Sequence, residues 1–134
     1  MQNVNDLGKS VIFPRGEKAT NDYFTGYVWV QMLVTEELFN CQIYNVTFEP
    51  GARTKWHSHP GGQILLVTGG KGYYQEEGKP ARSLQEGDVV KILPNVKHWH
   101  GTSKDNWFVH IGISTNPNLG NAEWLGPVTE EEYQ

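Results

Sequence analysis

The stretch "TKWHSHPGGQ", Thr54 to Gln63, decides how the rest of the chain is read. The protein has five histidines, and two of them stand here one residue apart. Side chains alternate along a β-strand, so an extended "KWHSH" puts His57 and His59 on one face. Pro60, Gly61 and Gly62 then supply a tight turn. Gln63 opens the following strand with its carboxamide able to face back across the pair. A second pair lies in "VKHWHG" (96–101), where His98 and His100 share a face and Trp99 takes the other. His110 alternates with its neighbours in "NWFVHIGIS" (106–114) and falls on the side of Phe108 and Gly112. All five imidazoles can therefore line one interior. Imidazole is the commonest side-chain ligand for first-row transition ions and binds them as the neutral ring.

An isolated histidine is ordinarily a surface or hydrogen-bonded core residue, and nothing local to His110 argues otherwise. The His57/His59 pair with a spaced amide and a distant His98 differs, because the spacing fits a metal and no structural role demands it. Trp56 and Trp99 are most simply core residues on the opposite face.

Outward from these motifs the punctuation is that of an all-β protein. Fifteen glycines and seven prolines divide the chain, and turn signals recur roughly every 8–12 residues. Between them lie "YVWVQML" (27–33), "CQIYNVTF" (41–48), "QILLVTG" (63–69), "KGYYQEE" (71–77), "DVVKIL" (88–93) and the run 106–114. The tail "TEEEYQ" is the one helical candidate, with Thr129 as N-cap and glutamates in the first turn. No linker divides the chain. Many short strands at regular spacing predict a β-sandwich or barrel.

Composition bounds the function. With 134 residues there is material for one domain and one core. The hydrophobic fraction of 37% and charged fraction of 19% suit a globular fold. The net charge is −4 and no Lys/Arg cluster exists, which argues against a duplex nucleic acid as partner. Cys41 is the single cysteine, so no intrachain disulfide forms. The opening "MQNVNDLGKS" lacks the apolar centre of a leader, and no apolar run approaches membrane-spanning length. The expectation is a soluble cytoplasmic protein with no membrane partner.

The motifs carry a family resemblance. Gly51, five residues, His57-x-His59, three residues, Gln63, six residues and Gly70 resemble the first cupin motif, with glutamine where glutamate is commoner. "GDVVKILPNVKHWH" from Gly87 resembles the second, with His98 eleven residues after the glycine. It departs at Leu93, where proline is usual, and at Asn95, where glycine is usual. Asparagine tolerates positive φ, so that turn can survive. Thr102 stands where asparagine is frequent, a change expected to matter little. The resemblance implies an antiparallel jelly-roll barrel, the double-stranded β-helix, as a single domain over 1–134. Its core would span about 22–115, with an N-terminal strand arm and a C-terminal tail. Gly70, Gly72 and Gly87 then read as turn glycines between barrel strands.

"DYFTG" (22–26), "TFEPGARTKWHSHPGGQ" (47–63), "VHIGI" (109–113) and "WLGPVTEEEY" (124–133) narrow the resemblance. They are similar to a group of small single-domain bacterial cupins. That group includes manganese-dependent hydroxynitrile lyases and cupins associated with carboxymuconolactone-decarboxylase-like domains. It implies metal ligands at His57, His59, Gln63 and His98. Thr54, His100 and His110 would lie beside the metal and act on the substrate. The implied cofactor is one divalent transition ion per chain, Mn first, with Fe, Ni, Zn or Co as alternatives.

The implied ligand set is neutral, so the ion would keep its charge and act as a Lewis acid at positions left open to a substrate. His100 and His110 suit proton transfer near pH 7. Lys97 alternates away from His98 and reads as solvated, as do Glu36, Glu37, Glu76 and Glu77. Arg53 is ambiguous. The expected function is a metal-dependent lyase acting on a small hydroxy or carbonyl compound, cyanohydrin cleavage being the activity the resemblance suggests. A metal-dependent dioxygenase and a non-catalytic metabolite-binding module are the alternatives. A homodimer is expected through the outer strand "YVWVQMLV" (27–34).

Overall fold

The computed structural model describes residues 12–133. Residues 1–11, which include the stretch read as lacking a leader and the start of the expected N-terminal arm, lie outside the described residues. Among those described, twelve strands follow one another. They are β1 (Glu17–Lys18), β2 (Phe24–Thr25), β3 (Val28–Val34), β4 (Cys41–Phe48), β5 (Arg53–Thr54), β6 (His57–Ser58), β7 (Gln63–Glu76), β8 (Arg82–Gln85), β9 (Val89–Ile92), β10 (His98–Thr102), β11 (Phe108–Thr115) and β12 (Glu123–Trp124). A helical turn, Glu130–Tyr133, closes the described chain. No described helix is long and apolar enough to cross a membrane.

Every strand pairing is antiparallel, in the order β1-β3-β4-β11-β7-β10-β5-β2. Strand β7 explains how this sheet closes. Gln63–Leu66 pair with β9 and the stretch to Gly70 pairs with β11, whereas Lys71–Tyr74 pair with β8 and Gly72–Glu76 with β10. One strand thus serves both walls, and the sheet curls over itself into the expected jelly-roll barrel.

This corrects the reading of two glycines. Gly87 does occupy a turn, between β8 and β9, at φ +91°. Gly70 and Gly72 instead lie inside β7, so the runs 63–69 and 71–77 are one strand. A Cβ on Gly70 (φ +75°) would stand 1.8 Å from the Trp107 carbonyl oxygen, and one on Gly72 would stand 2.5 Å from that of Gly101. Glycine there permits the bend from wall to wall and the close backbone approach that it requires, rather than ending the strand.

Alternation fills the barrel. Val46 and Phe48 from β4, Leu65 and Val67 from β7, Val90 and Ile92 from β9, and Phe108 from β11 form the buried core. Each such side chain contributes about 1.5–3 kcal/mol on leaving water. Trp56 and Trp99 pack outside the barrel with Val128 and Tyr133, on the face opposite the histidines as expected. The tail is pinned there by a capping box. Thr129 Oγ1 accepts from the Glu132 amide at 3.2 Å, and the Glu132 carboxylate accepts from the Thr129 amide at 2.9 Å. Arg53 belongs to this anchor. It is buried, donates to the Val128 carbonyl at 3.0 Å and lies 4.1 Å from the Tyr133 ring centroid. Thr102, expected to matter little, is fully buried, and its hydroxyl lies within hydrogen-bonding distance of the Lys71 and Asn106 carbonyls. It therefore ties β10 to its neighbours.

Candidate metal centre

Short strands deliver the histidines. In β6 and β10, His57 and His98 are direct cross-strand partners, which brings their rings to 4.2 Å. The turn after β6 closes with the Gly62 amide donating to the His59 carbonyl at 3.1 Å. That carbonyl also accepts from Asn95, which does adopt φ +67° as its place in the motif requires. His59 is thereby held with its ring 5.1 Å from His57 and 5.8 Å from His98. His100 follows on the same face of β10, 5.5 Å from His57, and His110 on β11 lies 4.9 Å from His100. All five imidazoles do converge in one interior. Phe48 forms its floor, 5.9 Å from His100 and 5.6 Å from His110.

Among the described residues, ring nitrogens of His57, His98 and His100 lie within 4.8 Å of one another, so these three could hold a metal ion. The trio contains two of the expected ligands and replaces His59 by His100. The ring centroids of His59 and His100 stand at similar distances from the pair, at 5.1 and 5.8 Å for His59 and 5.5 and 5.8 Å for His100.

Hydrogen bonds set the direction of the donors. His57 Nδ1 sits 2.8 Å from the Lys55 carbonyl and His98 Nδ1 2.9 Å from that of Val96. A carbonyl only accepts, so each Nδ1 carries the proton and each Nε2 offers a lone pair. Gln63 Oε1 lies 3.2 Å from His98 Nε2. With that tautomer these are two acceptors facing each other, an arrangement that a cation relieves. His59 Nε2 and both ring nitrogens of His100 and His110 are buried without a hydrogen-bond partner. A native interior rarely tolerates such groups unless something else satisfies them. The donor set therefore fits a divalent transition ion.

Burial also keeps the rings neutral. It lowers the pKa of His59, His98 and His110 to about 4. Burial, followed by the neighbouring imidazoles, holds His57 and His100 well below the usual histidine range. At neutral pH every ring presents a free lone pair.

Thr54 lies at the site, but its hydroxyl accepts from the His100 backbone amide at 3.2 Å and so steadies β10. Lys97 points away, as expected, and pairs with Glu77 at 2.7 Å. Residues unremarked in the sequence complete the walls. Trp124 stacks on His57 at 4.4 Å, and Tyr23 stacks on Trp124 at 4.1 Å. They come from β12 and the approach to β2, whose pairing with β6 and β5 links segments distant in sequence. The aromatic content of "DYFTG" was a visible signal; its destination was not. These residues, with Tyr44 and Val46, line a cavity of about 300 Å³ that reaches His57, His59, Gln63, His100 and His110.

Comparison with known proteins places the chain among cupins. A family profile described as "Cupin domain" matches residues 44–109. The chain is 40% identical over 118 residues to an "(R)-mandelonitrile lyase" of Granulicella tundricola, covering 87% of this chain and 90% of that one. It is 68% identical to a cupin-like protein of Thermotoga maritima whose crystal structure superposes with a TM-score of 0.89, over 91% of this chain and 93% of that one. A cupin 2 conserved barrel domain protein of Rhodopseudomonas palustris shares the fold at a TM-score of 0.68 and 16% identity, over 87% and 76% of the two chains.

Proposed function

The chain belongs to the cupin family, and we propose that it is a metal-dependent lyase that cleaves small cyanohydrins to a carbonyl compound and hydrogen cyanide. The observation that carries this reading is the pair of buried, unpartnered imidazoles, His100 and His110, beside the His57/His98 pair at a partly open cavity. A structural metal site needs no such spare proton acceptors. The 40% identity to a mandelonitrile lyase over most of both chains supports the same chemistry.

His57 Nε2, His98 Nε2 and Gln63 Oε1 would hold the ion, with His59 Nε2 completing the set on a turn of its ring. A divalent ion there supplies Lewis acidity toward a substrate oxygen. A neutral nitrogen and oxygen donor set does not by itself select the ion, and Mn²⁺ is our choice on the resemblance to the manganese-dependent cupins. Tyr44, Val46 and Phe24 would exclude water from the bound substrate. His100 or His110, neutral at pH 7, accepts the hydroxyl proton. As that proton leaves, the carbonyl forms, the bond from the hydroxyl carbon to the nitrile carbon breaks, and its electron pair departs with cyanide. The same imidazole returns the proton to cyanide, so the products are a neutral carbonyl compound and HCN. A positioned histidine contributes about 10²–10⁴-fold to such a transfer.

The test is racemic mandelonitrile with Mn²⁺-loaded protein, following benzaldehyde and cyanide release alongside oxygen consumption. Equimolar aldehyde and cyanide without oxygen uptake is the expected result. Product formation tied to oxygen consumption would replace the lyase by a dioxygenase. Tight Mn²⁺ binding with no turnover would leave a binding module.

A further inference from the structure

We infer that Tyr44 is a positioning residue that turns the Gln63 carboxamide oxygen, rather than its nitrogen, toward the imidazole cluster. The inference rests on the proposed reading of the metal centre. Gln63 differs from the glutamate commoner in this motif in one physical respect: its two terminal atoms are not equivalent. A carboxylate presents oxygen whichever way it turns. A carboxamide presents a lone pair only in one of its two orientations, and in the other it points N–H groups at the site.

In the structure the carboxamide takes the first orientation, with its nitrogen in a chain of hydrogen bonds across three adjacent strands. Gln63 Nε2 donates to the Tyr44 hydroxyl at 2.8 Å, and that hydroxyl lies 2.7 Å from Ser114 Oγ. With the amide as donor, the Tyr44 oxygen accepts, and its hydroxyl is free to donate to Ser114 Oγ. The amide nitrogen is thus held on the β4 side, which leaves Oε1 3.2 Å from His98 Nε2. Strand register makes the chain. Ser114 on β11 is the direct partner of Gln63 on β7, and Tyr44 on β4 is the direct partner of Gly112. Gly112 gives the ring its seat, since a Cβ there would stand 2.1 Å from Tyr44 Cε2. The ring lies across the neighbouring strand, and its hydroxyl reaches the amide beyond it.

The experiment is Mn²⁺ binding, read from the electron paramagnetic resonance signal of the free ion, on a double-mutant cycle of Tyr44→Phe and Gln63→Glu. Outer contacts to a metal ligand are worth about 10–100-fold in affinity, and Tyr44→Phe is expected to lose that much in the Gln63 protein. In the Gln63→Glu protein both terminal atoms are oxygens, so the same change should cost less than about threefold. Ser114→Ala should show a smaller loss of the same sign. A merely structural tyrosine would not distinguish the two backgrounds. Equal losses in both, or no loss in either, overturn the inference. The His57→Ala and Gln63→Ala proteins separate the two levels. If they bind Mn²⁺ as tightly as the parent, the metal-centre reading falls and this inference with it. If they bind weakly while Tyr44→Phe does not, only the role of Tyr44 is lost. Thermal melts of each protein establish that it is folded.

Discussion

His110 shows how little a single residue says on its own. In the sequence it is one histidine with nothing local to support a role. In the barrel it is fully buried, its nitrogens have no partner, and it stands 4.9 Å from His100. It lies outside the trio of rings that could hold an ion, which separates proton transfer from metal retention. His110→Ala should lower kcat for mandelonitrile by about 10²-fold or more while Mn²⁺ stoichiometry stays at the parent value. His57→Ala should lose the ion itself. Elemental analysis of both proteins, beside their steady-state rates, checks the division. A His110 variant that turned over normally would remove it from the reaction.

At the scale of the element, β7 carries the most information. Its glycines read as strand ends because glycine usually interrupts a strand, yet here Gly69–Gly70 mark the passage from one wall to the other. The pairing with β11 also slips at this point, between Val109 and His110. A bulge there bends the strand next to a site residue, as bulges at barrel corners do. Gly70→Ala should destabilise the protein by about 3 kcal/mol or more, because positive φ and a backbone clash combine. Thr129→Ala removes one half of a capping box on an exposed turn and should cost about 1 kcal/mol. Urea denaturation midpoints order the two. A Gly70 variant as stable as the parent would mean that the corner can form without glycine.

Across the whole molecule, the cavity places five neutral imidazoles in a small low-dielectric volume, with Glu76 the one carboxylate whose charge bears on His98. His59, His98 and His110 titrate near 4 when folded and near 6.5 when unfolded. Between those values the unfolded chain binds protons that the native state refuses, so stability rises with pH. The contribution is complete above about pH 6.5, is lost as pH falls toward about 4, and changes no further below that. Metal-free protein should therefore show a urea midpoint that drops steeply between about pH 7 and about pH 4. A flat midpoint over that window would mean that the rings are solvated. Bound Mn²⁺ should raise the midpoint across that window and leave its slope in place, because it is the unfolded chain that takes up the protons.

The sequence by itself determined the fold class and the membership of the interior. Alternation with period two assigns each histidine a face before any strand is paired, and turn chemistry at Pro60-Gly61-Gly62 and Asn95 marks where the chain must reverse. Tertiary structure alone decided what those side chains meet. Register between strands far apart in sequence sets Tyr44 against Gly112, Gln63 against Ser114 and Trp124 against His57. The same register makes His100 a neighbour of His57, on equal terms with His59. Such juxtapositions follow from hydrogen-bond ladders and the bend at Gly70, which no local pattern encodes, because pairing energy depends on the partner strand and not on the residue alone.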